Sequence, residues 1–317
     1  MQHLPFQPIR QSLYSPEELL EGFDLANPLS LEQTRDLLIY RFYVTEGRGQ
    51  PASHFTSMME ALHDNSINQA CVEALLTSDR VIGVMGDHLL ERNSPAYRQV
   101  AKLARRLATN GALIATGGGP GAMEASHIGA ALAKSGDKIF EEFLTQLEQV
   151  PALPQNLNQV ILPSGEFDPI FLQALHRWWK PAIQLTRQLG NEIRPSVAIP
   201  TWYYGHETFT PFATWIAKYF QNSIRENGLI AVCNGGVIFT EGKAGTVEEI
   251  FLDVSKNYYR TGLFSPMAFL GVQYWTQTYP VLPLLKALFK IGDFSKYILV
   301  SDSIDEVENF LLKFSVK

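Results

Sequence analysis

The stretch that decides the fold is residues 235–249, which read Gly-Gly-Val-Ile-Phe-Thr-Glu-Gly-Lys-Ala-Gly-Thr-Val-Glu-Glu. Its apolar run predicts a buried strand, and the glycines that follow predict a turn. The helix expected after the turn starts at Thr246 and carries Glu248 and Glu249 near its beginning. Together these features predict a strand, a glycine-rich turn and a helix in direct succession.

A second unit of the same kind lies upstream. The apolar residues 112–115 lead into Thr-Gly-Gly-Gly-Pro-Gly at residues 116–121, and a helix is expected from Ala122. Glycines allow backbone N–H groups to approach an anion closely, and a helix that begins there adds the positive end of its dipole. Two such turns predict a ligand that carries phosphate.

From residue 79 onward, short β-branched runs alternate with longer amphipathic segments. Strands are predicted at residues 80–85, 112–115, 159–162, 196–199, 236–240, 267–271 and 297–300. Helices are predicted at residues 95–109, 122–133, 209–225, 246–259, 282–289 and 304–314. Strands that are apolar throughout suit a parallel sheet covered on both faces. We therefore expect a Rossmann-like, doubly wound α/β fold with three layers (αβα).

Two parts of the chain fall outside this alternation. Residues 1–75 are predicted to form an added N-terminal helical layer, with helices at residues 30–43 and 53–76. Residues 134–195 are interrupted by Pro151, Pro154 and Pro163 and are predicted to be an insertion that contains a helix at residues 171–189. The insertion is expected to belong to one Rossmann-like domain that spans residues 76–317.

Composition narrows the class of protein. An apolar fraction of 46% with 18% charged residues is typical of a folded globular chain. The 26 basic and 32 acidic residues give a net charge of −6 without a basic stripe, which argues against nucleic-acid binding. The sequence shows neither a signal peptide nor a membrane-spanning apolar run, so we expect a cytoplasmic protein that does not bind membranes.

Metal and redox chemistry are not indicated either. The seven histidines form no H-E-x-x-H or Cys/His pattern, so no metal site is expected. Cys71 and Cys233 are interpreted as reduced, buried thiols. His88 and His127 are interpreted as structural residues.

In open α/β sheets the ligand lies outside the carboxyl ends of the strands, so the loops after the strands are the places to search. Three loops qualify: residues 83–88, residues 117–121 and residues 241–245. The first loop follows no standard glycine spacing, and the second matches neither a P-loop nor the dinucleotide fingerprint. The run Trp202-Tyr203-Tyr204 follows a further strand and could either stack on a base or pack in the core.

The two glycine turns together resemble the paired signature of the Lonely Guy type phosphoribohydrolases, long labelled lysine decarboxylases, which have a Rossmann-like fold. The first half stands at residues 117–124 as Gly-Gly-Gly-Pro-Gly-Ala-Met-Glu, and the second at residues 241–249 as Glu-Gly-Lys-Ala-Gly-Thr-Val-Glu-Glu. The resemblance covers residues 79–272 apart from the insertion. It implies hydrolysis of a nucleoside 5′-monophosphate to free base and ribose 5-phosphate, without metal or organic cofactor, by a homodimer.

The resemblance also assigns roles to residues. Glu249 holds the last acidic position of the motif and is implied to be the catalytic carboxylate, which would stabilise oxocarbenium character on the ribose. Arg225 best matches the arginine that the family places upstream, where it would hold phosphate or assist the leaving base. The implied substrate- and phosphate-binding residues are Gly86, Gly118, Gly119, Gly121, Met123, Gly242, Lys243, Gly245 and Thr246.

The chain departs from the family motif at Glu241 and Lys243, where the family has proline and glycine. Glu241 is expected to add a negative charge where an anion should bind, whereas Lys243 could offset that charge and contact the phosphate. A second hypothesis therefore stays open, in which a protein of the same fold holds a nucleotide or a phosphate-bearing cofactor, such as a molybdenum cofactor, without turnover. A third hypothesis, DNA binding, is disfavoured by the acidic charge balance.

Overall fold

Parallel strands form the central sheet in the computed structural model, which describes residues 4–48, 50, 53–75, 78–156, 159–204, 208–259, 264–288 and 294–314. The strands are β1 (Val81–Met85), β2 (Leu113–Thr116), β3 (Ser196–Ala198), β4 (Trp215–Ile216), β5 (Gly236–Phe239), β6 (Met267–Leu270) and β7 (Ile298–Ser301). Their order in the sheet is β4-β3-β2-β1-β5-β6-β7, and every neighbouring pair is parallel. The predicted Rossmann-like, doubly wound fold is confirmed.

The helices before the sheet are α1 (Pro16–Leu19), α2 (Arg35–Thr45) and α3 (His54–Leu75). Those that follow are α4 (Pro95–Thr109), α5 (Ala122–Ala131), α6 (Asp137–Leu147), α7 (Pro169–Leu189), α8 (Asn222–Val232), α9 (Ala244–Tyr259), α10 (Leu282–Leu288) and α11 (Ile304–Lys313). Local chemistry sets several helix starts. At α4, for example, Ser94 accepts a hydrogen bond from the Tyr97 N–H group, and Pro95 occupies the first helical position.

Alternate strand side chains supply two cores, one on each face of the sheet. One core packs strand residues against α1, α2, α3, α7, α8 and α9, and its strand members include Val81, Met85, Ala115, Val237 and Phe239. The other packs strand residues against α4, α5, α6, α11 and part of α7, and its strand members include Ile82, Val84, Ile114, Ile238 and Leu270. The N-terminal helices thus share a continuous core with one face of the sheet.

The strand predicted at residues 159–162 is wrong. Ile161 forms only an isolated antiparallel bridge to Phe167, within a local hairpin in which the Asp168 N–H group donates to the Val160 carbonyl. Gly165, with φ of 84°, closes the turn between them. The apolar run is satisfied by a short local pairing and by burial, so it does not join the sheet.

The helix predicted at residues 209–225 is also wrong. This segment instead contains the edge strand β4, and α8 begins only at Asn222. The Thr210 N–H group donates to the Gly118 carbonyl, and the Ala217 N–H group donates to the Ala198 carbonyl. These long-range backbone bonds override the helical spacing of the buried aromatic residues. The last residues of two other predicted helices, Leu76 and Phe289, lie outside the described residues.

Three further observations concern the described part of the chain. No helix there is long and apolar enough to cross a membrane. No group of three or more histidine, cysteine or acidic side chains is arranged there to hold a metal ion. Cys71 and Cys233 are buried, free thiols, and burial raises the pKa of each to about 12.

Candidate functional site

A cavity of about 340 Å³ opens at the carboxyl ends of β1, β2 and β5. Because β2 and β5 lie on opposite sides of β1, this is the switch point of the sheet, where ligands of α/β proteins bind. The volume lies at the lower end of the range of about 300–1,000 Å³ for small-molecule sites. The lining residues are Val84, Met85, Gly86, Asp87, His88, Gly117, Met123, Tyr204, Arg225, Glu226, Lys243, Ala244, Gly245, Thr246, Glu248 and Glu249.

The turn between β5 and α9 brings the start of α9 to this cavity. The Val247 N–H group donates to the Lys243 carbonyl over 2.9 Å, so the amides of residues 244–246 precede the first intrahelical hydrogen bond. A Cβ atom on Gly242 would lie 2.2 Å from Oγ1 of Thr246, so the turn requires glycine here. A Cβ atom on Gly245 would meet nothing within 4 Å. This open helix start favours an anion.

The two residues that depart from the family motif lie in different places. Lys243 lines the cavity, and its side chain is exposed. Contrary to the sequence-based expectation, the Glu241 carboxylate lies beside Gly271, with Oε1 3.6 Å from the position of a Cβ atom there. Within the described chain, Glu241 is not part of the cavity lining. The lysine charge is therefore at the cavity, whereas the glutamate charge is turned toward the loop after β6.

Arg225 and Glu249 meet in the cavity wall. Nη1 of Arg225 lies 3.8 Å from Oε1 of Glu249, and the two residues are only 4% and 7% exposed. Arg225 comes from the first turn of α8, and its Nε donates to the Ile199 carbonyl over 2.9 Å. The structure thus brings the two predicted catalytic residues together from separate helices.

The guanidinium of Arg225 also packs closely against Gly117. A Cβ atom on Gly117 would lie 2.5 Å from Nη2 of Arg225 and 2.8 Å from Sδ of Met123. Both neighbouring side chains therefore pack directly on the glycine backbone. Gly117 was not among the residues predicted to bind the ligand, although it lies in the same glycine run.

The other glycines of this run shape the turn. Gly118 and Gly121 have φ of 75° and 68°, which favours glycine at both positions. A Cβ atom on Gly121 would lie 2.2 Å from the Asp87 carbonyl oxygen, and the Gly119 N–H group donates to Sδ of Met123 over 3.4 Å. None of these three glycines belongs to the cavity lining in the described chain, and neither does Gly242.

The loop after β1 forms a further wall. Gly86, Asp87 and His88 all line the cavity, and Nδ1 of His88 lies 3.7 Å from Oδ1 of Asp87. A Cβ atom on Gly86 would lie 1.9 Å from Oγ1 of Thr240. Glycine here lets the ends of β1 and β5 approach each other closely.

Glu226 is a site residue that the sequence reasoning missed. It is 4% exposed, and its Oε1 lies 3.5 Å from Nη1 of Arg225 and accepts a hydrogen bond from Nδ2 of Asn222 over 2.7 Å. Burial raises the pKa of Glu226, and Glu248 raises it further. The predicted helix at residues 209–225 ended one residue before Glu226, so the wrong boundary hid this acidic group.

The aromatic run divides between core and cavity. Trp202 is buried, and its Nε1 donates to Oδ1 of Asp36 over 2.9 Å, so it serves the core. Tyr204 lines the cavity, and its hydroxyl accepts from Nδ2 of Asn222 over 2.9 Å. Trp202 thus takes the core role, whereas Tyr204 lies at the cavity, where stacking on a base stays a prediction.

Two side chains on α5 are structural. His127 lies buried between Oγ1 of Thr116 and Oγ of Ser196, each 2.8 Å away, and burial lowers its pKa to about 3. Glu124 is buried and accepts two hydrogen bonds from Arg92, at 2.8 and 2.7 Å. Neither group lines the cavity within the described chain.

No protein-family model matches the chain, and no curated protein does. Among solved structures, the chain is similar to the molybdenum cofactor carrier protein MCP from Chlamydomonas reinhardtii, at 14% identity and a TM-score of 0.37. That alignment covers 74% of this chain and 99% of the Chlamydomonas chain.

Proposed function

We propose that the protein hydrolyses the N-glycosidic bond of a nucleoside 5′-monophosphate, releasing free base and ribose 5-phosphate. The observation that carries this proposal is the buried Arg225–Glu249 pair in the wall of a cavity that also receives the start of α9. A cavity with an anion site on one side and a buried carboxylate on another fits a sugar phosphate.

The phosphate would bind at the start of α9. The amides of residues 244–246 supply hydrogen-bond donors, and Lys243 supplies a positive charge at the same edge of the cavity. Thr246, buried beside Gly242, can add its hydroxyl. These donors and this positive charge would suit a phosphate.

The ribose would lie against Glu249. As the bond between C1′ and the base nitrogen breaks, its electron pair moves to the base and positive charge develops on the sugar. A carboxylate fixed nearby stabilises that charge, and its effect is strong in a site from which water is excluded. Arg225 orients Glu249, and it is itself held by the Ile199 carbonyl and by Gly117.

A second candidate function is the binding of a nucleotide or a phosphate-bearing cofactor, such as a molybdenum cofactor, without turnover. The observation that favours it is Lys243, which stands in place of the motif glycine and adds a charge at the anion end of the cavity. Tighter binding of the phosphate in the ground state raises the affinity for the ligand without raising the rate of the chemical step.

One assay separates the two functions. The purified protein is incubated with a panel of purine and pyrimidine 5′-monophosphates, and released base is measured by chromatography, with binding followed by calorimetry. Glu249→Gln should abolish base release, while Glu142→Gln, an exposed acid on α6, should leave it unchanged. Tight nucleotide binding without base release by the wild type would refute the hydrolase proposal and support the carrier.

We also propose that the protein is a homodimer. Three apolar side chains, Phe55, Met58 and Leu62, are exposed along one face of α3, and such a stripe suits contact with a second copy. Light scattering coupled to size exclusion should give twice the mass of 35.6 kDa. A Met58→Glu variant should shift the equilibrium toward the monomer.

A further inference from the structure

Three acidic side chains of the cavity, Asp87, Glu226 and Glu248, are not used by the mechanism above. Glu226 on α8 and Glu248 on α9 both line the cavity beside the Arg225–Glu249 pair. Asn222 links this group to Tyr204, because its Nδ2 donates to Oε1 of Glu226 and to the Tyr204 hydroxyl. A buried acid is thus placed between the catalytic pair and an aromatic ring that can face a base.

We propose that Glu226 is the proton donor to the leaving base, with Glu248 as the partner that shares its proton. This assignment rests on the proposed hydrolase function and adds a catalytic residue to it. The geometry is its basis: Glu226 lines the cavity, is buried, and lies 3.5 Å from the arginine that also faces Glu249.

The electrostatics of the site agree with a protonated acid. Burial is the largest cause that raises the pKa of Glu226, and the charge of Glu248 and a hydrogen bond with it raise the pKa further. The Asn222 amide and the Arg225 guanidinium act in the opposite direction. The other titratable or charged groups that line the cavity are Asp87, His88, Tyr204, Lys243 and Glu249.

Atoms, protons and electrons balance in the proposed reaction. The C1′–N bond breaks, its electron pair goes to the base nitrogen, and the Glu226 carboxyl proton moves to the base. Water adds to C1′, and its released proton returns to the Glu226–Glu248 pair, which restores the one-proton state. The net reaction is nucleotide plus water to base plus ribose 5-phosphate, with no other reactant.

The test compares two leaving groups. One substrate is the nucleoside monophosphate cleaved best in the panel described above, whose base needs protonation. The other is 4-nitrophenyl ribofuranoside 5-phosphate, whose nitrophenolate leaves without a proton. Glu226→Gln keeps the size of the side chain and an oxygen that can accept from Asn222. Thermal unfolding confirms that the variant is folded.

Glu226→Gln should lose about 10²- to 10⁴-fold in kcat/KM on the nucleotide but less than about 10-fold on the nitrophenyl substrate. Glu249→Gln should lose activity on both, because the sugar charge is common to them. The wild-type rate on the nucleotide should fall as the pH rises above the pKa of Glu226, and the variant should lack this decline. Glu248→Gln should shift the position of the decline.

The outcomes are distinguishable. If the wild type cleaves neither substrate, the proposed function fails and the role of Glu226 fails with it. If the wild type cleaves both and Glu226→Gln loses the same factor on each, only the Glu226 assignment is overturned. Cleavage of the nitrophenyl substrate alone by the wild type would also overturn it, since a working donor would serve the nucleotide.

Discussion

Nη2 of Arg225 lies 2.5 Å from the position that a Cβ atom would occupy on Gly117. A side chain at residue 117 and the observed arginine conformation are therefore mutually exclusive. This contact links the first glycine turn to the pair formed by Arg225 and Glu249, so the two halves of the sequence signature meet at one guanidinium.

Gly117→Ala should displace that guanidinium and lower kcat/KM for the nucleotide by about 100-fold, the scale expected for a misplacement of about 1 Å in a catalytic group. Gly136→Ala is the matched control, because a Cβ atom there meets nothing within 4 Å and its φ is −66°. Steady-state kinetics on the two variants checks the prediction. Full activity in Gly117→Ala would show that the observed arginine position is dispensable.

Lys243→Gln should weaken nucleotide binding by about three- to tenfold, the range that corresponds to a partly exposed charge pair of roughly 1 kcal/mol. The salt dependence of binding should also decrease, because one screened interaction has been removed. Calorimetry at two ionic strengths provides the measurement, with Lys138→Gln on α6 as a control for an exposed lysine. Equal affinities in wild type and variant would place the phosphate elsewhere.

Asp64→Ala should destabilise the fold by about 2–4 kcal/mol, because it removes the acceptor of one buried and one partly buried backbone N–H group. The carboxylate accepts from the N–H groups of Phe220 and Gln221, over 3.0 and 2.9 Å, directly before α8. Since α8 carries Arg225, activity should fall as well. Chemical denaturation and kinetics test both effects, with Asp137→Asn at an exposed position as the control. If Asp64→Ala lowers the free energy of unfolding no more than Asp137→Asn does, the prediction is contradicted.

His127→Gln should alter the pH dependence of stability. Burial lowers the pKa of this histidine from 6.5 to about 3, so the unfolded chain binds the proton more readily than the folded chain. The wild type therefore loses stability as the pH falls from 6.5 toward 3, at about 1.4 kcal/mol per pH unit from this residue. Above pH 6.5 the histidine adds no slope.

Denaturation curves at several pH values check this, with glutamine retaining hydrogen-bonding groups near Thr116 and Ser196. The free energy of unfolding of the variant should fall less steeply with acid than that of the wild type. Parallel curves for the two proteins would exclude His127 as a contributor.

Several features followed from the sequence by itself. The apolar runs that precede the glycine turns are satisfied only when both faces are covered, so β1, β2, β5 and β6 were predictable as buried parallel strands. The glycine turns marked the edge of the sheet at which the cavity lies. The helix after β5 was also predictable, because glycines mark the turn before it and the carboxylates of Glu248 and Glu249 stand near its start.

Tertiary structure decided the rest. The segment at residues 209–225 has helical spacing, yet backbone bonds to Gly118 and Ala198 turn part of it into an edge strand. That choice moves the start of α8 to Asn222 and brings Glu226 into the cavity. Only the tertiary structure shows that the Glu241 carboxylate lies beside Gly271, whereas Lys243 lines the cavity. Local sequence determines which backbone shapes are accessible, but only contacts between distant segments select among them, because they decide which hydrogen bonds and charges are buried.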